Sequence, residues 1–293
     1  MDKSKQGNEL VMNKKIKIAF QGAKGAYSHL ACLEIFPNTE AVACSTFEEA
    51  FQLAKDNSEY KIVIPIENSL AGRVADIHYL IPKYKLQIHA EHFQKVTHNL
   101  LGIKGSKLED IKTVRSHAQA LGQAQKFIFN NKLTSIISAD TAGSAKFISK
   151  QKNKSEGAIA SKLAAKIYDL EILKSGVEDE YGNVTRFFIM GRDSEHPEFK
   201  DKKYITSCIF KLKSIPAALY KALGGFATNG VNLCKLESFS VKNTFDQVNF
   251  YIDIEGHIED PSLKKALEEL GFHTEKLDVL GVYEAHNFRF KNK

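Results

Sequence analysis

Lys61-Ile62-Val63-Ile64-Pro65-Ile66-Glu67-Asn68-Ser69 is an apolar run that breaks into three polar side chains, after which apolar residues recur at helical spacing at Leu70, Val74, Ile77 and Leu80. The pattern predicts a buried strand running into a helix, with the polar trio crowded at the junction. In open α/β sheets ligands collect outside the carboxyl ends of strands, so this junction is a candidate wall of a site. The plainer reading makes Asn68 or Ser69 a helix cap.

The same order recurs on both sides. Upstream, Ile16 to Phe20 predicts a short strand, followed by Gln21-Gly22-Ala23-Lys24-Gly25-Ala26-Tyr27-Ser28 and a helical pattern through Phe36. Gly25 lets backbone approach a ligand, and Ser28 reads as an N-cap that would aim free N–H groups at an anion. A structural turn explains these glycines equally well, and neither G-x-G-x-x-G nor G-x-x-x-x-G-K-[ST] occurs. Downstream, Ile111 to Arg115 leads into Ser116-His117-Ala118-Gln119, a capping-box spacing. Thr134 to Ser138 leads into Ala139-Asp140-Thr141-Ala142-Gly143-Ser144-Ala145, and Glu156 to Ala160 leads into a helix capped by Ser161. Strands alternating with helices predict a mostly parallel sheet covered on both faces. Leu86 to Ile103 reads as extended. His89, His92 and His98 lie in it, but no acidic or cysteine partner falls at ligand spacing, so no metal is assigned.

Gly182-Asn183-Val184-Thr185-Arg186-Phe187-Phe188-Ile189-Met190 sets a hydroxyl beside a guanidinium at the mouth of a strand. Arginine offers a planar fork of donors to a carboxylate and threonine one movable proton, so the pair suits an anion site. The alternative is a strand end with a solvated Arg186 and a β-favouring Thr185. Residues 191–203 are charged and aperiodic and read as a linker. Beyond them Tyr204 to Leu212, Val231 to Val241, Phe245 to Ile254 and Lys276 to Tyr283 read as strands, with helices from Ser214 and Pro216 to Phe226 and from Pro261 to Leu270. That order is βαββαβ, a ferredoxin-like sandwich.

The 293 residues allow two domains, one of them divided. A net charge of +6 spread along the chain, without an Arg-rich stripe, argues against nucleic acid and suits a small anionic ligand or simple solubility. Four scattered cysteines form no disulfide framework or zinc knuckle, and residues 1–15 carry no apolar segment. A cytoplasmic protein without membrane contact is expected.

Five of these stretches, in this order, resemble prephenate dehydratase followed by an ACT regulatory domain: 22–28, 65–74, 116–120, 140–145 and 183–187. The resemblance runs from about Lys15 to Glu284. It implies a two-lobed catalytic domain like a periplasmic binding protein over 15–192, with one lobe from about 15–92 and 175–192 and the other from about 93–174. An ACT domain would follow over 204–285. It implies loss of CO2 and water from prephenate to give phenylpyruvate, on the route to phenylalanine, with no cofactor because aromatisation drives the reaction. Thr185 would act on the departing hydroxyl, with Asn68, Ser69 and the ambiguous Glu67 around it. Arg186, Ser28, Gly25, Ser116, His117, Gln119, Thr141, Ala142 and Phe187 would hold the substrate.

The resemblance further implies a homo-oligomer, dimer or tetramer, binding phenylalanine between paired ACT domains. Here that site would draw on Ala217, Ala218, Leu219, Asn232, Leu233, Glu237 and Ser238. Family members carry Gly-Ala-Leu and Glu-Ser-Arg-Pro where this chain has Ala217-Ala218-Leu219 and Glu237-Ser238-Phe239-Ser240, so altered feedback is the hypothesis. Two rivals remain: the same chemistry on arogenate, and a ligand sensor with no chemistry.

Overall fold

The computed structural model describes residues 16–74, 77–193, 196–240 and 248–290. The polar opening of residues 1–15 and the expected strand ends at Val241 and Phe245 lie outside the described residues, as do two linker positions. The first lobe contains β1 (Lys17–Gln21), α1 (Tyr27–Ile35), β2 (Ala41–Cys44), α2 (Phe47–Asp56), β3 (Tyr60–Asn68), β4 (Gly72–Arg73), α3 (Ile77–Tyr84) and β5 (Gln87–Lys95). The second contains β6 (Asn99–Gly102), β7 (Thr113–His117), α4 (Ala118–Gly122), α5 (Gln125–Asn130), β8 (Thr134–Ser138), α6 (Thr141–Gln151), β9 (Glu156–Ala160), α7 (Lys162–Ile167) and β10 (Glu171–Ser175). Then β11 (Val184–Gly191) returns to the first sheet. The chain thus crosses between lobes twice, and the crossings lie side by side. The Val96 N–H donates to the Asn183 carbonyl (2.9 Å) and the Val177 N–H to the His98 carbonyl (3.0 Å).

The sheets depart from the expected parallel pattern. In the first, ordered β2-β1-β3-β11-β5, β1, β2, β3 and β5 run in one direction, and β11, entering from the far lobe, lies antiparallel between β3 and β5. In the second, β7, β8 and β9 are parallel, β6 runs against them, and β10, antiparallel to β6, runs in their direction at the edge. The predicted helix from Leu70 also starts later. The Asn68 Oδ1 accepts from the Leu70 N–H (3.1 Å) and the Ala71 N–H (2.9 Å), and the resulting turn folds Gly72 and Arg73 back onto Asn68 and Glu67 before α3 begins.

The C-terminal unit is the expected βαββαβ: β12 (Tyr204–Leu212), α8 (Ala218–Thr228), β13 (Leu233–Ser240), β14 (Val248–Glu255), α9 (Pro261–His273) and β15 (Thr274–Glu284), with sheet order β13-β14-β12-β15. Alternation along β14 sends Phe250, Ile252 and Ile254 under the helices and Tyr251 and Asp253 to the opposite face. That opposite face docks on the first lobe. Ile205, Ile209, Phe239, Tyr251, Leu280 and Tyr283 share one core with Leu80, Ile81, Ile88 and Phe188. Among the described residues, no helix is long and apolar enough to cross a membrane.

Gly281 marks where the two units meet most closely, since a Cβ there would lie 2.2 Å from the Ile88 carbonyl oxygen and 2.8 Å from its Cβ. Backbone cannot yield as a flexible side chain would. Gly281→Ala is therefore expected to cost about 1–3 kcal/mol, read as a lower urea midpoint together with faster proteolysis in the linker around residues 196–203.

Candidate active site

A cleft of about 740 Å³ opens between the lobes, with the two crossings at its floor. The ends of β1, β3 and β7 bring Gln21, Asn68 and His117 to its walls, and β11 contributes Thr185 and Phe187. Ser28 on α1, Gln119 on α4 and Thr141 on α6 line it near helix starts. No side chain caps the start of α1, whose N–H groups therefore lack side-chain acceptors. On α6 the Asp140 carboxylate takes the Gly143 N–H (2.6 Å).

Thr185 is held by a carboxamide whose orientation follows from its partners. Because the Asn68 Oδ1 accepts two backbone N–H groups, its Nδ2 must be the donor facing Thr185 Oγ1 (3.0 Å) and Asn183 Oδ1 (2.6 Å). The Thr185 oxygen is thus an acceptor from Asn68, and its own proton is left for a group in the cleft. Asn183 Nδ2 donates in turn to Gln123 Oε1 (2.8 Å), which also lies 2.9 Å from His98 Nε2. The His98 Nδ1 is 3.3 Å from the Tyr27 hydroxyl, which donates to the Thr97 carbonyl (2.6 Å). Burial pushes the His98 imidazole below its ordinary value, against a smaller raising effect of its hydrogen bond to Gln123. A neutral ring with Nε2 protonated fits the Gln123 oxygen beside it. This chain of amides and rings runs from Thr185 along the floor through both crossings.

Several expected site residues lie elsewhere. Arg186 is turned away from the cleft because successive residues of a strand face opposite sides: Asn183, Thr185 and Phe187 line the cleft, while Arg186 and Phe188 face the C-terminal unit. Its guanidinium, 5% exposed, donates to Glu91 (2.8 Å), Asp253 (2.5 Å) and the Tyr283 hydroxyl (3.0 Å). Glu67 is likewise on the far face of β3, paired with Lys235 (2.8 Å). Ser69 is exposed and binds backbone at Gly182 and Val184, a brace for β11. Ser116 is no helix cap: it sits in β7, fully buried, donating to the Ile159 carbonyl (2.7 Å), and His117 is the N-cap. Ser28 lies inside α1, whose N-cap is Ala26, yet it does line the cleft.

Gly25 and Ala142 are also displaced from the walls. Ala142 is packed in the second lobe's core. Gly25 (φ +95°) touches the other lobe at Ala164, where a Cβ would come within 2.9 Å of its Cα, and its carbonyl accepts from the Ser161 hydroxyl (2.6 Å). The glycine thus serves contact between the lobes. In the C-terminal unit Ala217 caps α8 in a left-handed conformation (φ 57°), and Ala218 and Leu219 open that helix. Leu233 begins β13, Asn232 borders a cavity facing Arg186, and Glu237 and Ser238 reach Arg73 of the first lobe.

Sequence reasoning left out Gln123, His98, Tyr27 and Arg73 as site residues. For Asn183 the signal was present, since period-2 alternation places it beside Thr185 and sets Arg186 apart. For Gln123 none exists, because its side-chain partners, His98 and Asn183, come from two distant segments.

A family model described as prephenate dehydratase matches residues 18–195. The chain is 43% identical over 280 residues to a bifunctional N-acyl-homoserine lactone acylase/prephenate dehydratase of Komagataeibacter europaeus, covering 96% of this chain and all of the relative. It is 39% identical over 284 residues to the chloroplastic arogenate dehydratase/prephenate dehydratase 1 of Arabidopsis thaliana, covering 92% of this chain and 72% of that protein. Among solved structures, a prephenate dehydratase of Arthrobacter aurescens in complex with L-Phe superposes with a TM-score of 0.84 at 27% identity, covering 92% of this chain and 90% of that one.

Proposed function

The chain belongs to the prephenate dehydratase family of hydro-lyases, and from that premise we propose that it converts prephenate to phenylpyruvate in the cleft between its lobes. The observation that carries this reading is the Asn68–Thr185 pair, which presents a hydroxyl with a fixed acceptor side and a proton to spare.

The reaction takes the prephenate dianion and one proton to phenylpyruvate, CO2 and water. As the bond from the ring carbon to its carboxylate breaks, the electron pair enters the ring and the hydroxyl on the opposite carbon leaves. Charge develops on that oxygen in the transition state. A donor aimed there from a site shielded from bulk water stabilises it without reorganising solvent. Thr185 Oγ–H is that donor in our reading, and the net proton comes from solvent. Asn68 directs the threonine, Asn183 and Gln123 direct Asn68, and the start of α1 near Ser28, which no side chain caps, offers backbone donors to a carboxylate. His117 and Gln119 add side-chain polarity on the second lobe's wall, while Phe187 packs against the ring.

A second reading is the same elimination on arogenate, whose ammonium would find the Asp140 carboxylate, the one acid of the cleft lining among the described residues. Both substrates should be offered to the purified chain while phenylpyruvate and phenylalanine are followed. Phenylpyruvate from prephenate supports the first reading, and turnover of arogenate alone supports the second. Turnover of neither rejects both.

Control is assigned to the C-terminal unit, acting as an ACT domain over about 204–285 that pairs with a second copy and takes phenylalanine. Support comes from the L-Phe complex of the Arthrobacter relative and from the docking of this sheet on the catalytic lobe. Ala217–Leu219 and Asn232–Leu233 are the expected contacts, with Glu237 and Ser238 carrying the response to Arg73. Titrating phenylalanine during turnover tests this. A flat response up to about millimolar effector, the weak end of ordinary small-ligand affinity, would remove it.

A further inference from the structure

We propose that Arg73 is the cation that binds a substrate carboxylate, and that Glu237 of the C-terminal sheet competes for it, so that this ion pair sets substrate affinity. The inference rests on the dehydratase reading of the cleft and deepens it.

With Arg186 committed to Glu91, Asp253 and Tyr283, Arg73 is the one arginine or lysine among the described residues that line the cleft, and its guanidinium is held toward the C-terminal sheet. A dianion in a cleft otherwise walled by amides, rings, hydroxyls and the Asp140 carboxylate needs such a partner, because a buried anion is costly unless paired. Arg73 also sits on the piece of backbone that positions Thr185. In β4, Gly72 pairs with Asn68 and Arg73 with Glu67, so the Arg73 side chain starts on the Glu67 face at the rim of the sheet, and it reaches the cleft only when Glu237 releases it.

Its guanidinium is not idle. Nε lies 3.2 Å from Glu237 Oε1, and Nη1 donates to the Ser238 carbonyl at 3.3 Å. Both partners belong to β13, the edge strand of the C-terminal sheet. Glu237 also pairs with Lys235 (3.1 Å), and Lys235 with Glu67 (2.8 Å), so β13 grips the β3–β4 hairpin at two points. The Arg73 and Glu237 side chains keep 36% and 21% of their exposure. A half-solvated pair of this kind is weak enough for a second carboxylate to displace, and a shift of β13 would strengthen or release it.

The test is a double-mutant cycle read as KM against kcat and as calorimetric binding of prephenate to the full chain. Arg73→Gln should weaken KM and affinity by about 10- to 100-fold, the range for a hydrogen-bonded charge, with a far smaller change in kcat, and Arg73→Lys should recover part of it. Glu237→Gln should tighten KM by about two- to fivefold, the worth of an exposed ion pair. In the Arg73→Gln background it should change nothing.

Unchanged affinity in Arg73→Gln, or the same response to Glu237→Gln with and without Arg73, overturns the proposal while leaving the dehydratase reading intact. A parent that binds prephenate without converting it or arogenate overturns the dehydratase reading, and the calorimetric arms still decide Arg73. A parent that neither binds nor converts prephenate overturns both.

Discussion

Arg186→Met is expected to destabilise the protein by about 3–5 kcal/mol while leaving prephenate KM close to that of the parent at temperatures where the variant is folded. Its guanidinium holds together Glu91 from β5, Asp253 from β14 and the Tyr283 hydroxyl from β15, all of them buried. Removing it strands two carboxylates away from water. Arg289 also reaches Glu91 (2.6 Å) and lies 3.7 Å from Asp253, which places the loss toward the lower end of that range.

Acid should expose the same cluster. Burial works to raise the Asp253 pKa, but the Arg186 charge and hydrogen bonds from Arg186, Ser207 and Tyr251 outweigh it and hold the carboxyl below its ordinary value of 3.8. A carboxyl depressed in the folded state contributes stability that is fully present above its unfolded value and lost as pH falls through the folded one. Urea midpoints of the parent should therefore fall below about pH 4, near the ordinary carboxylate range, and Arg186→Met should lose this part of the slope. A variant as stable as the parent but with a raised KM would return Arg186 to the substrate.

Thr185→Val is expected to lower kcat by about 100- to 1,000-fold, equivalent to about 2.7–4 kcal/mol for one lost donor to developing charge, with little change in KM. Valine keeps the branched shape and strand preference of threonine, so the loss reports the hydroxyl. Asn68→Leu should fall nearly as far, since it removes the donor that orients Thr185 and also the acceptor that closes the turn at Leu70 and Ala71. Wild-type turnover in Thr185→Val, by the rate of phenylpyruvate formation, would take the residue out of the mechanism.

Much of this architecture is legible in the chain because its signals are local. Strand runs such as Lys61 to Ile66, caps such as Ser161, and the alternation of β14 depend on neighbours a few residues away. The misplacements came from neighbouring positions read as one functional unit. Thr185 and Arg186 are adjacent in sequence and opposed in space, as are Asn68 and Glu67, because a strand turns consecutive side chains to opposite faces. The alternation that sets Tyr251 and Asp253 apart from Phe250 and Ile252 along β14 divides these pairs as well. What no local rule reveals is the covering of that second face. Asp253 earns its burial only through Arg186, 67 residues upstream, and the pairing of Arg73 with Glu237 joins segments 164 positions apart by their numbering.

The core shared by α3, β5 and the C-terminal sheet also bears on how such a chain can be cut or recombined. A fragment ending in the linker would leave Leu80, Ile81, Ile88 and Phe188 without their covering sheet and Glu91 without most of its partners. Such a lobe would stick to its own copies before it could work alone. Swapping the last ninety or so residues, roughly one small domain in size, for those of a relative would succeed only if the donor brought a matching underside. The two parts are therefore constrained to be inherited as a pair, whatever becomes of the effector they respond to.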